Sequence, residues 1–188
     1  MIRAVPPANR GRSGRERQRA LQALAREAVR RSAERAGLEL KTLDQEENGA
    51  PRPCGGVCWS LSHKPEWVAG VAAPAPVGID LEAVRPLAAG MYAKTARPEE
   101  WDRLGGRTPT AFFRLWTAKE AVLKAVGIGL RGLGRCRLVR LDDKILVMEY
   151  DGGYWTVRRH EFDGHLAAVT AAGDFDVVWE VAAEEARG

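Results

Sequence analysis

Cysteine is scarce in this chain: Cys54, Cys58 and Cys136 are the only thiols in 188 residues. A small, odd number excludes a disulfide framework of the kind that staples small secreted domains. Cys54 and Cys58 could open a zinc site, but no second Cys or His pair follows at the finger's distance to complete it. Long apolar runs are lacking too. No segment reaches the roughly 18 continuous apolar residues of a membrane helix, and the N-terminus has no signal-peptide apolar core. The expectation is a soluble, cytoplasmic protein with reduced thiols and no membrane partner.

What is present points to a packed globule. Apolar residues make up 45% and charged residues 29%, with six tryptophans, too apolar for a disordered chain. The length suits one domain or two small halves sharing a core. The net charge of +4 is concentrated: residues 1–40 hold ten arginines and four glutamates, or +6, which leaves −2 for the rest. That asymmetry fits either an anionic partner for the N-terminal part or a solvated, arginine-rich helix face.

The chain then divides by pattern. Residues 1–12, with two adjacent prolines and scattered Arg and Gly, read as a flexible lead-in. Leu21, Leu24, Ala25, Ala28 and Val29 mark a helix from about Ser13 to Ala36, stopped by Gly37. The Gly- and Pro-rich stretch 47–56 reads as a loop. After it, "VCWSLSH" alternates as a half-buried strand, followed by two short β runs, "EWVAGVAA" and "PVGIDLE". Helices are expected near Arg97, with Pro98 in the first turn, and from Thr108 to Gly127. Five β runs follow from Cys136 to residue 181. The order α-β-β-β-α-β-β-β is an α+β arrangement of hairpins, without βαβ crossovers. "WSLSHKPEWVAGVAA" and "WTVRRHEFDGHLAAVTAA" echo each other, each running from a Trp-led strand through a His-containing turn into a small-residue strand. The echo suggests two similar halves.

Two short stretches carry the chemistry. "GIDLE" puts Asp80 and Glu82 two positions apart on a strand, and so on one face. Adjacent carboxylates repel unless a cation or a proton intervenes, and an oxygen-only environment suits Mg²⁺ beside phosphate oxygens. A solvated strand end with two acids is the plain alternative. In "FFRLWTAKEAVLKAVGIGL", Glu120 and Lys124 share a helix face that continues the aromatic stripe of Phe112 and Trp116, while Lys119 points elsewhere. Together Asp80, Glu82, Glu120 and Lys124 make a candidate metal–phosphate site. The preceding "SLSH" adds a hydroxyl and an imidazole, Ser62 and His63.

These motifs resemble a known family. "VGIDLE" followed by "FFRLWTAKEAVLKAVGIGL" is similar to the paired signature of the 4′-phosphopantetheinyl transferases, and "WSLSH" looks like a third motif of their larger, surfactin-synthetase-activating type. The resemblance spans roughly residues 48–130. It implies a fold of two similar α/β halves with antiparallel sheets and packed helices, here 1–78 and 79–188, working as a monomer with the site between the halves. The implied reaction moves the phosphopantetheine arm of coenzyme A onto a serine of an acidic acyl or peptidyl carrier protein, releasing adenosine 3′,5′-bisphosphate. By resemblance, Asp80, Glu82 and Glu120 hold Mg²⁺, with Mn²⁺ as a possible substitute. Lys124 contacts the pyrophosphate, Ser62 and His63 lie at the 3′-phosphate, and Glu120 is the candidate base for the incoming serine.

Departures from the family pattern lie on the coenzyme A side. Where the family often has Gly-Lys-Pro, this chain reads Gly49-Ala50-Pro51, with Arg52 next in line to supply the charge. Arg19 matches the family's helix arginine. A degenerate member that binds coenzyme A or carrier protein without efficient transfer is one alternative. A metal-dependent nuclease is another, opposed by the helical position of the lysine. A nucleic-acid binder would leave the carboxylates unexplained, so nucleic acid is not an expected partner.

Overall fold

The computed structural model describes residues 1–11 and 13–183; Arg12, within the expected lead-in, and residues 184–188 of the expected second half lie outside them. The lead-in is structured. Ile2–Ala4 forms strand β1, and Pro7–Arg10 a single helical turn, α1. Ile2 and Val5 are fully buried, so the expectation of a flexible segment is corrected: two anchoring apolar side chains outweigh the prolines and arginines around them.

Helix α2, Gly14–Arg35, forms where the sequence places it, from Ser13 as N-cap to a turn at Gly37, whose φ is +66°. Its buried residues Leu21, Ala25, Ala28, Val29 and Ala33 recur at helical spacing. They pack on a β-hairpin of Cys58–His63, β2, and Trp67–Ala73, β3. The helix lies close, because a Cβ on Gly70 would sit 2.4 Å from the backbone nitrogen of Val29.

Val77–Ala83 forms β4. Two short helices follow, Gly90–Thr95 as α3 and Pro98–Arg103 as α4; the first was not legible in the pattern. Helix α5, Pro109–Ala125, starts as expected: Thr108 Oγ1 accepts a hydrogen bond from the Ala111 N–H at 3.1 Å, and Pro109 occupies the first turn. Its apolar residues are buried on most sides, including Phe112, Phe113, Leu115, Ala118, Val122 and Leu123. The remaining strands are β5 (Arg137–Asp142), β6 (Ile145–Tyr150), β7 (Gly153–Phe162), β8 (His165–Ala171) and the short β9 (Val181–Ala182). The strand expected over 176–181 is thereby corrected to a two-residue pairing at its end. Val177 and Trp179 cover the core between the sheets without joining a ladder.

Two sheets result, with orders β2-β3-β1-β9 and β4-β8-β7-β6-β5. Within them, β2-β3-β1 and β7-β8-β4 share one pairing pattern: a hairpin whose second strand pairs antiparallel with an earlier strand, with α1 and α2 intervening in the first case and α3, α4, α5 and the β5–β6 hairpin in the second. The sequence echo falls on the two hairpins. Among the described residues no helix is long and apolar enough to cross a membrane.

The sheets meet along β2 and β4 without a backbone ladder. Ser60 Oγ accepts from the Ile79 N–H at 3.2 Å, and Ser62 Oγ from the Leu81 N–H at 3.3 Å. Both serines are buried, which corrects the reading of 57–63 as a half-buried strand: its hydroxyl face is the seam. Across β4 lies α5, so near that a Cβ on Gly78 would come within 1.9 Å of the Ala121 carbonyl oxygen. Gly78→Ala is therefore expected to destabilise the protein by at least about 2 kcal/mol through overpacking. Gly134→Ala, with open space around its Cβ, serves as the control. Equal urea midpoints for the two variants would refute the close approach.

Candidate active site

The close packing of α5 on β4 brings the two chemical stretches together. Asp80, Glu82, Glu120, Lys124, His63 and Ser62 line one cavity of about 340 Å³, joined by Lys64, Trp116 and Leu61. Strand alternation puts Asp80 and Glu82 on the cavity side of β4, as expected. Helical spacing puts Trp116, Glu120 and Lys124 on one face of α5. The aromatic stripe is real: Phe112 stacks on Trp116 at 5.9 Å and on Trp101 at 6.2 Å, with nearly parallel rings.

Lys124 does not pair with Glu120, its helix neighbour. Its Nζ donates to Asp80 Oδ1 at 2.7 Å, to the Ile79 carbonyl at 3.0 Å and to the Leu61 carbonyl at 3.4 Å. The ammonium thus touches β2 and β4 at once. Asp80 Oδ1 also accepts from Ser62 Oγ at 2.9 Å, so the Ser62 hydroxyl is turned into the seam. Glu82 meets a second lysine, with Lys64 Nζ 2.8 Å from its Oε1 and Arg85 3.9 Å from its Oε2.

Lys119 explains how the helix is held in register. It is buried, pairs with Glu100 at 2.9 Å and donates to the Thr95 carbonyl at 3.0 Å. Glu100 in turn accepts from the backbone N–H groups of Leu138 and Arg97, both at 2.9 Å. Removing one partner of such a buried ion pair typically costs about 3–5 kcal/mol. Lys119 and Glu120 are sequence neighbours with separate duties: one anchors α5 and the other lines the cavity.

Burial, and then the nearby Asp80 charge, pushes the Glu120 carboxyl above the ordinary carboxylate range, partly opposed by Lys124 and Lys64. Burial, followed by the charges of Lys64 and Lys124, holds the His63 imidazole below its usual value, so it is a neutral donor and acceptor near pH 7.

Among the described residues no three carboxylate, imidazole or thiol groups converge as a metal-binding set; Asp80 and Glu82 lean toward lysines. The donor chemistry nevertheless fits a hard divalent ion. Three carboxylates line one cavity, and Asp80 Oδ2 is buried with no hydrogen-bond partner.

A second cavity, about 400 Å³, lies between the loop containing Gly49, Ala50 and Pro51 and the turn after α5, Gly127 to Arg131; Lys124 lines both cavities. The basic residues expected to serve this region are placed differently. Arg19 is exposed on α2 and lines neither cavity, and Arg52 is engaged with both oxygens of Glu46, at 2.8 and 2.9 Å. Arg26 instead reaches the loop, donating to the Gln45 side chain at 2.9 Å. Sequence reasoning missed Lys64, although it directly follows "SLSH", and Glu100, whose pairing with Lys119 depends on tertiary contact.

The profile of the 4′-phosphopantetheinyl transferase superfamily matches residues 76–172, which hold β4, α5 and the second hairpin. The chain belongs to that superfamily. Among its curated relatives, the 4′-phosphopantetheinyl transferase psf-1 of Bacillus pumilus is 33% identical over 99 residues, covering 50% of this chain and 42% of the relative. A 4′-phosphopantetheinyl transferase of Bacillus subtilis is 29% identical over 126 residues, 62% of this chain and 56% of the relative. A phosphopantetheinyl transferase of Thraustochytrium is 30% identical over 176 residues, 78% and 61% respectively. The matches thus span about half the length of these relatives.

The raised Glu120 value makes a signed prediction. A carboxyl whose folded pKa lies above its unfolded one contributes stability that is complete below the ordinary value of 4.5 and is lost as pH rises through the folded value. Glu120→Gln, which cannot ionise, should therefore be more stable than the native protein at pH 7, and the gap should close near pH 4. Urea midpoints at the two pH values test this; a gap that does not widen with pH contradicts the burial of this charge.

Proposed function

We propose that this chain transfers the 4′-phosphopantetheine arm of coenzyme A to a serine of an apo acyl or peptidyl carrier protein, releasing adenosine 3′,5′-bisphosphate. What carries the reading is one arrangement in a member of this family: three carboxylates, two lysines and a neutral imidazole around a single cavity, with one buried carboxylate oxygen unpartnered. Coenzyme A is long enough to need more than one subsite. Its nucleotide end is assigned to the cavity beside Gly49, Ala50 and Pro51, and its pyrophosphate to the carboxylate cavity, with Lys124 between them.

In this mechanism the serine oxygen attacks the phosphorus on the pantetheine side. A new P–O bond forms as the bond to the adenosine-side phosphate breaks. Glu120 takes the serine proton, directly or through water. Lys124 and the neutral His63 stabilise charge on the departing bisphosphate. Ser62 acts through Asp80, fixing its Oδ1. Asp80, Glu82 and Glu120 would hold Mg²⁺, or Mn²⁺ in its place, which supplies charge neutralisation on the pyrophosphate when bound. The site between two similar halves makes a monomer sufficient, and the arginine-rich α2 offers a surface for an acidic carrier.

Ala50 in the loop and the engagement of Arg52 with Glu46 favour a second reading, a member that binds coenzyme A or carrier without efficient transfer. Intact-mass analysis of an apo carrier protein, incubated with this protein, coenzyme A and Mg²⁺, separates the two. A phosphopantetheine mass gain is expected, lost in EDTA and reduced at least about 100-fold in Glu120→Ala. No gain across acyl and peptidyl carriers, with coenzyme A still bound, would sink the transferase reading in favour of the second.

A further inference from the structure

The two lysines at the carboxylates are held in different ways. Lys124 has three acceptors, two of them backbone carbonyls fixed on β2 and β4. Lys64 sits on the turn between β2 and β3, and among the described residues its ammonium has one ion-pair partner, Glu82 Oε1 at 2.8 Å. A lysine head on a flexible four-carbon stem, held at one point, moves readily. The carboxylate it holds is largely buried, with 12% of its side chain exposed. Glu82 thus needs a positive neighbour, and among the described residues Lys64 is the nearest.

We propose that Lys64 is a displaceable counter-ion of the cation site. It neutralises Glu82 while no divalent ion is present. It leaves when one binds, because an ammonium ion and a dication repel each other across one carboxylate. Its stem is rooted beside His63, on the rim of the same cavity, so the freed ammonium remains within reach of the anionic oxygens of a diphosphate. Lys124 cannot make this exchange without breaking its bonds across the seam. Lys64 therefore opposes the cation in the empty site and assists the phosphate in the filled one. The inference rests on the proposed reading of Asp80, Glu82 and Glu120 as cation ligands.

The test uses Mn²⁺ as the probe, titrated into the full chain without nucleotide and followed by the EPR signal of the free ion, with coenzyme A binding measured separately at saturating Mg²⁺. Lys64→Met should bind Mn²⁺ about tenfold more tightly than the native protein, since a unit charge near a dication is removed, and coenzyme A severalfold more weakly. Lys64→Arg should behave like the native protein in both. The two affinities move in opposite directions, an outcome that a purely structural role for Lys64 does not produce. Mn²⁺ affinity that is unchanged or weaker in Lys64→Met overturns the proposal while leaving the cation site standing. Native protein and Glu82→Gln that bind Mn²⁺ equally, or not at all, would remove Glu82 as a ligand, and the proposal would fall with that reading.

Discussion

The site depends on one ammonium group placed across a seam. Lys124 Nζ bonds to a carbonyl of β2, a carbonyl of β4 and the Asp80 carboxylate. The strands it joins belong to different sheets and share no backbone ladder; two serine hydroxyls take the place of the missing carbonyl acceptors. Each polar group left unpaired on a buried seam costs stability, and on this one Asp80 Oδ2 is the buried oxygen left without a partner. The same residues that satisfy the rest of the seam line the cavity. Joining the two sheets and building the site are therefore a single structural event, and either sheet alone would present only half of the polar constellation.

Charge in the cavity is balanced by parts drawn from separate elements. Strand β4 contributes two acids, helix α5 a third acid and a lysine, and the β2–β3 turn a second lysine. Helix α5 can lend Glu120 because its other contacts fix it: apolar burial on most sides, the close approach permitted by Gly78, and the Lys119–Glu100 pair behind it. An acid on a loosely held helix would move toward water and lose the burial that raises its pKa. The chain belongs to the 4′-phosphopantetheinyl transferase superfamily, and the proposed pyrophosphate cleavage would call for positioned positive charge more than any exotic side chain.

Much of this was legible in the sequence, for physical reasons that can be named. Helices α2 and α5 were readable because their apolar residues keep helical spacing between recognisable caps. Asp80 and Glu82 were placed on one face by strand alternation, and Glu120 with Lys124 by the i,i+4 rule. Pairing across elements was not legible. Nothing local says that Lys124 prefers Asp80 to Glu120, that Glu82 takes Lys64, or that Ser60 and Ser62 turn inward as acceptors. The strand Ile2–Ala4 was hidden for a related cause: three residues carry no period, and their burial is decided by partners far away in the chain. Arg19 and Arg52 show the converse, as a charge counted in sequence is no guide to where its side chain is engaged.

Strand β1 has a last consequence, concerning time rather than place. Ile2 pairs on one side with Ala69 and on the other with Val181. A chain made from its N-terminus can close the first pairing early, but the second waits until residue 181 has emerged. Contacts of such long separation form late because the loop entropy must be overcome first. Until then the outer edge of β1 stays open, an unpaired strand edge of the kind that invites wrong partners. Its shortness, three residues, limits that exposure until Val181 and Ala182 arrive to cover it.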